Sequence, residues 1–516
     1  MKLSYIAIAT GLIVQLIFCS VMMAQETVRI VVRGDSTVNT MAGGIGASWH
    51  AIEDSIVVEG RTSHGGSAWG ANPPADDDLA WQQIYRHAGW LGLDFCRVEL
   101  EQRMYEPERK QFDWDSEEML ILYRILDWCE LMGVDVFLQQ MWSNASWIAY
   151  PEFRDNPVQR VHSAPYSLPD YAHGIGELAE HLLKRKGYTC IRWLSINNEP
   201  GHSWSWWQMP PNESAPFTPA LEAVRQELDR RGLELPISGP DWTDTPPLEP
   251  EKIDFDPWIV AYDIHSYYST FDWQQCEDCP PDLNMTEVIS RLSDWADWAH
   301  ERGKPFFLTE VGSMAFGWRG TNPAPNSFEA VLKDAELVVR ALNVGVDGFN
   351  RWSFNNRGNL DGQWQMLSTW DIESNSLKRK YEPQANSYFV YGLVSRFSAR
   401  HSRVLETLVE GGSLEGLQRV FAATLESPTD DITLLIVNDS QDSMPAEIEI
   451  KDLDANPELN RYQVASGDRD NKDLRIEPQQ SYGKGEGVIS LVLPPFSLTV
   501  LSSYWLSHGD SGVITD

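Results

Sequence analysis

From about residue 41 the chain repeats one pattern. Short apolar runs, rich in β-branched and aromatic residues, alternate with longer stretches whose apolar positions recur every three to four residues. The short runs are Gly43–Trp49, Leu93–Leu100, Asp135–Trp142, Ile191–Asn198, Leu235–Trp242, Val260–Tyr267, Pro305–Val311 and Gly348–Phe354, eight in all. The stretches between them have the grammar of helices. Residues 116–133 open with Ser116 ahead of two acids and close on Gly133, and 282–303 and 327–345 follow the same plan. Eight such units predict an α/β fold, a (β/α)8 TIM barrel over residues 41–384. A doubly wound open sheet would bring a glycine-rich phosphate loop between a strand and a helix, and the sequence places none there.

Past residue 385 the period changes. Residues 386–400 still read as helix, and then short alternating runs separated by turn residues predict a β-sandwich over 385–505. An earlier run, Thr27–Gly34 within 25–40, reads as a strand that precedes the barrel and joins the sandwich. Residues 506–516 read as a disordered tail.

The N-terminus adds a destination. Lys2, the apolar run Ile6–Phe18 and the small residue Ala24 read as a signal peptide over residues 1–24. Phe18 ahead of Cys19 is too bulky for a lipid-anchored signal, so release is expected: a secreted or periplasmic protein with no membrane attachment after cleavage. No later run is long enough to span a bilayer. Five cysteines follow Ala24. Cys96, Cys129 and Cys190 sit in apolar surroundings and read as buried thiols. Cys276 and Cys279 read as a local disulfide, with a zinc half-site as the alternative. The formal net charge of −34 and pI of about 4.6 exclude nucleic acid as a partner and disfavour anionic membranes and polyuronides.

Candidate chemistry gathers where a barrel keeps its active site, at the C-terminal ends of its strands. Strand 2 carries Arg97, strand 3 ends in Trp142, strand 4 in Asn198-Glu199, strand 6 carries His265 and Tyr267, strand 7 ends in Glu310 and strand 8 carries Trp352. Trp49 and His50 end strand 1 and read as lining the substrate pocket. A lone glutamate reads as a salt-bridged structural residue. Two of them, on strands 4 and 7 and surrounded by aromatic rings, fit glycoside hydrolysis, in which one carboxyl protonates the departing oxygen and the other attacks the anomeric carbon. The aromatic residues read two ways, as sugar platforms or as packing at the rim. So do Trp204, Trp206 and Trp207, which follow Glu199. Asp76-Asp77-Asp78 reads as helix N-terminal acids rather than a calcium site.

Asn198-Glu199-Pro200 with Glu310 resembles the signature of glycoside hydrolase clan A, the retaining barrels with catalytic carboxylates on strands 4 and 7. "GGIGAS", "CRVEL", "DIHSYY", "NSYFVYGLVSRFSARHSRVLET" and "LPPFSLTVLSS" resemble glycoside hydrolase family 30, whereas "SWHAIED" departs from that family's pattern. The resemblance implies Glu199 as acid/base, Glu310 as nucleophile, Asn198 on the sugar 2-hydroxyl, Tyr267 donating to Glu310, and Arg97 adding positive field. No metal or organic cofactor is implied, and the partner is a neutral β-linked carbohydrate. A non-catalytic carbohydrate-binding protein and a transglycosylase using the same residues are the alternatives. Retention requires the two carboxyls roughly 5–5.5 Å apart.

Overall fold

A computed structural model describes residues 27–507, apart from 54–56, 59–60, 63–69, 143, 201–206, 212–216, 244, 269–284, 314–324, 358–362, 375, 415, 454–456 and 484–486. Residues 1–26 and 508–516, with Trp204, Trp206, Cys276 and Cys279, lie outside the described residues, and so do the expected signal peptide, most of the expected tail and the Cys276–Cys279 pair.

Eight parallel strands form the barrel. In chain order they are Ile45–His50, Phe95–Leu100, Asp135–Gln140, Ile191–Ser195, Ser238–Trp242, Ala261–Tyr268, Phe306–Ser313 and Gly348–Arg351, called barrel strands 1 to 8 below. Their order in the sheet is 4-3-2-1-8-7-6-5. A parallel bridge from Leu194 to Ile237 joins the remaining edges. Every residue of strands 1, 2, 3 and 7 is buried, as expected of strands covered by helices outside and by side chains within.

The helices start and stop where their capping residues stand. Ser116 accepts from the Met119 amide to open Glu117–Met132, and Gly133 closes it in the left-handed region at φ 69°. Ser327 opens Phe328–Leu342 in the same way. Asp77 opens Asp78–Trp90 by accepting from the Ala80 amide, so the acidic triplet is a helix start.

The C-terminal strands form a nine-stranded sheet. Val28–Thr40 lies within it, antiparallel to Arg403–Glu410 and parallel to Met444–Lys451. Segments at both ends of the sheet, with Tyr482 at one and Ile489, Leu491 and Leu493 at the other, send side chains into one shared core with Ile30 and Leu434. The sheet therefore doubles back on itself as a sandwich. Ile432–Asn438 is buried throughout. Leu434 and Ile436 face the sandwich core, while Leu435 and Val437 belong to the core shared with the barrel.

Candidate active site

The barrel interior is layered. At the N-terminal end Phe95, Phe137 and Phe307 form an apolar plug with Ala261, against which Trp193 packs. Ring centroids of Phe95 and Trp193 lie 5.5 and 5.0 Å from that of Phe307. Glycine makes room for it: a Cβ at Gly348 would lie 3.0 Å from both Phe95 and Phe307 ring carbons. Two residues further along the same strands the interior turns polar, with Arg97, Gln139, Asp263 and Thr309, all fully buried. The alternation of side chains along a strand keeps these on the inner face.

Three carboxylates of the upper layer, those of Glu310, Asp241 and Glu199, arrive by irregular backbone. Strand 7 pairs Leu308 with Ile264 and then Glu310 with His265, so Thr309 is bulged and Glu310 turns inward beside it. Strand 5 has a register shift between Pro240 and Trp242. There Asp241 takes φ 58°, and after strand 4 Glu199 takes φ 47°. Non-glycine residues at positive φ are uncommon, and such backbone clusters at functional sites.

One hydrogen-bonded network joins these groups. Arg97 Nη1 donates to Glu310 Oε1 at 2.6 Å and to Glu99 Oε1 at 2.5 Å, and Nη2 donates to Asn198 Oδ1 at 2.7 Å. Tyr267 donates its hydroxyl to Glu310 Oε2 at 2.7 Å. His265 Nδ1 lies 2.6 Å from Glu199 Oε1 and 3.4 Å from Glu310 Oε2, while Nε2 lies 3.1 Å from Asp241 Oδ1. One oxygen of Glu199, one of Glu310 and a ring nitrogen of His265 all lie within 4.8 Å of one another. Among the described residues this is the one group with the spacing of a metal site. Arg97 and Tyr267 already donate to both oxygens of Glu310, so protein donors stand where a metal would bind.

Burial pushes the Glu310 carboxyl up to about 7, against the opposing pull of His265 and Arg97. Burial disfavours a charged His265 ring, but the charges of Glu310 and Asp241 overcome it and raise the imidazole well above its usual range. Burial likewise opposes the Asp241 charge, yet His265 and Arg97 hold that carboxyl below the usual range. Beneath it, burial and the Asp241 charge push Asp263 up to about 8.

Of the residues expected at the site, Arg97, Asn198, Glu199, His265, Tyr267 and Glu310 meet in this network. His50 reaches it through Glu99, to which its Nδ1 is hydrogen-bonded. Trp352 packs edge-on to the His50 ring at 4.7 Å between centroids. Trp142 is buried just past strand 3, its carbonyl accepting from the Gln102 amide and the Gln140 side chain. Trp49 is a correction. It points out of the barrel, packs against Trp81, Trp128 and Phe354, and donates to Asn72 Oδ1. Its neighbours Ser48 and His50 take the inner face, and strand alternation sends Trp49 to the helix side. Trp207 is buried against Tyr171 and Phe217, a loop anchor. Cys96, Cys129 and Cys190 are buried free thiols.

Two groups were missed. Glu99 bridges Arg97 and His50, and its place two residues after Arg97 on the same strand face was the available signal. Asp241 accepts from His265, Thr309, Gln139 and Arg97. A lone acid in "SGPDW" carries no comparable signal.

A family model described as cellulase (glycosyl hydrolase family 5) matches residues 50–357. No curated protein matches the chain. In shape the chain is similar to the catalytic domain of a family 30 xylanase C from Talaromyces cellulolyticus, at TM-score 0.60 and 13% identity over 92% of this chain and 99% of that one. A conserved exported protein from Bacteroides fragilis gives TM-score 0.63 and 11% identity over the same shares. A family 51 α-L-arabinofuranosidase from Bifidobacterium longum gives 0.60 and 14%, again over 92% and 99%. These likenesses carry the fold, a barrel with an attached sheet domain, and the family 30 shape agrees with the sequence motifs. With well over half its length matched by the family model, the chain belongs to the cellulase family, glycosyl hydrolase family 5, and is a glycosidase of clan A.

Proposed function

We propose that the protein is an exported, retaining hydrolase of β-glycosidic bonds in a neutral poly- or oligosaccharide, acting by double displacement. The observation that carries this reading is the approach of Glu199 and Glu310, with carboxylate oxygens within 4.8 Å of each other. So close an approach suits a carboxylate that attacks the sugar directly, as in a retaining enzyme. The two acids have unequal surroundings. Glu310 takes donors from Arg97 and Tyr267, which favour its ionised form and suit a nucleophile. Among the described residues Glu199 has one short contact, to His265, and it serves as acid and then base. Asn198, held by Arg97, presents its side chain beside them for the sugar 2-hydroxyl.

The reading is tested by comparing wild type, Glu199→Ala and Glu310→Ala on aryl β-glycosides, β-glucans, xylans and galactans, with and without azide. Wild type is expected to cleave one class. Azide is expected to rescue the two variants to glycosyl azides of opposite anomeric form. A folded wild type that binds glycan and cleaves nothing would leave a binding protein instead.

A further inference from the structure

Asp241 lies outside every role assigned above, yet it touches more of the network than any other acid. The groups facing it are Arg97 on strand 2, Gln139 on strand 3, Asp263 and His265 on strand 6, and Thr309 on strand 7. Oδ1 accepts from Thr309 at 3.1 Å and faces His265 Nε2 at 3.1 Å; Oδ2 accepts from Gln139 at 3.2 Å and faces Arg97 at 3.5 Å. Both oxygens are taken up by donors, the pattern of an ionised carboxylate. A carboxylate opposite Nε2 requires a proton on Nε2. On the other side of the ring Nδ1 faces two oxygens, Glu199 Oε1 at 2.6 Å and Glu310 Oε2 at 3.4 Å. A bare nitrogen lone pair would repel the second of these, whereas an N–H serves both.

We infer that Asp241 is a positioning residue: it holds His265 as a doubly protonated imidazolium, so that a fixed cation stands between Glu199 and Glu310. The arrangement has a use in the retaining reaction, and in this respect it rests on the function proposed above. In the first step Glu310 bonds to the anomeric carbon and loses its negative charge, while Glu199 gives its proton to the leaving oxygen and gains one. The second step reverses both changes. The pair carries one negative charge throughout, and that charge crosses from one carboxylate to the other. A cation within reach of both stabilises it on either side. His265 transfers no proton, and Asp241 touches no reacting atom.

The test is ¹⁵N-histidine NMR of the full chain, wild type and Asp241→Asn, with the His265 ring assigned by its loss in His265→Gln. The wild-type ring is expected to stay doubly protonated at least about two pH units above the ordinary histidine value of ~6.5. In Asp241→Asn its titration is expected to fall into the pH 5–8 range. On the substrate that wild type cleaves, kcat is expected to drop about 100-fold, the low end of what losing one fixed electrostatic group costs. KM is expected to stay within about twofold, because Asp241 does not contact substrate. The alkaline limb of the pH profile is expected to move to lower pH, since a ring that loses its proton earlier loses the cation earlier. A purely structural Asp241 would lower the whole profile without moving that limb. A wild-type ring titrating near ~6.5 overturns the inference, and this spectrum decides the matter even if Asp241→Asn fails to fold. An unmoved limb in the folded variant overturns it as well. If the ring behaves as expected in a chain that cleaves no glycoside, the state assigned to His265 stands and the retaining reading falls.

Discussion

The two ends of the barrel interior are built from the same strands and differ in kind. Strand 2 runs from Phe95 in the plug to Arg97 and Glu99 above it, strand 3 from Phe137 to Gln139, and strand 7 from Phe307 to Thr309 and Glu310. The step from one layer to the next is two residues, the strand period. Below, aromatic rings fill the space and every contact favours the folded state. Above, Arg97, His265 and the acids Glu99, Glu199, Asp241, Asp263 and Glu310 are buried together. Such a group is held by mutual pairing, since buried charges are costly unless neutralised and hydrogen-bonded. The lower layer supplies the rigidity that lets the upper layer be tuned for chemistry.

Substitutions at each level should separate stability from rate. The largest effect is expected from Glu310→Gln. Its kcat/KM on the cleaved glycoside should fall about 10⁵-fold, near 7 kcal/mol on the transition state. Its melting temperature should hold or rise, because the replaced carboxylate is one that burial disfavours. A coincident loss of melting temperature would break the division between layers. Phe307→Ala should do the reverse. Denaturant unfolding should show a loss of about 3–5 kcal/mol, with kcat of the folded fraction little changed. Tyr267→Phe is intermediate, with kcat down about 10–100-fold, or roughly 1.4–3 kcal/mol. Removing a donor to ionised Glu310 should also raise its pKa from about 7, so the acidic limb of kcat/KM should move to higher pH. The smallest effect is expected from Ser116→Ala at the cap of Glu117–Met132, which should cost about 1 kcal/mol of stability and leave the pH profile unmoved.

The elements were legible because their signals are local. Apolar runs and capping residues mark the strands and helices within a few residues; the run Gly43–Trp49, for instance, appears as Ile45–His50. Arg97, Asn198, Glu199, His265, Tyr267 and Glu310 could be gathered because barrel topology sends all strand ends to one mouth. Three things escaped. Trp49 was misplaced because aromatic character outweighed alternation, which already had Ser48 and His50 facing in. Glu99 was passed over for its neighbour Arg97. Asp241 could not be read at all, because a register shift and a positive φ, features of tertiary packing, turn it into the barrel.

The strand Val28–Thr40 sits between two partners drawn from the far end of the chain. The ion pair from Arg29 to Glu410 spans 381 residues. In synthesis this strand emerges before the barrel, and both its edges wait until the whole barrel has followed. The sheet is thus stitched from segments that precede and follow the barrel, with the barrel as the insert. No single cut in the gene yields either piece whole. A fragment starting at the barrel loses an inner strand of its companion sheet, and a fragment ending at the barrel carries a strand with nothing to pair it.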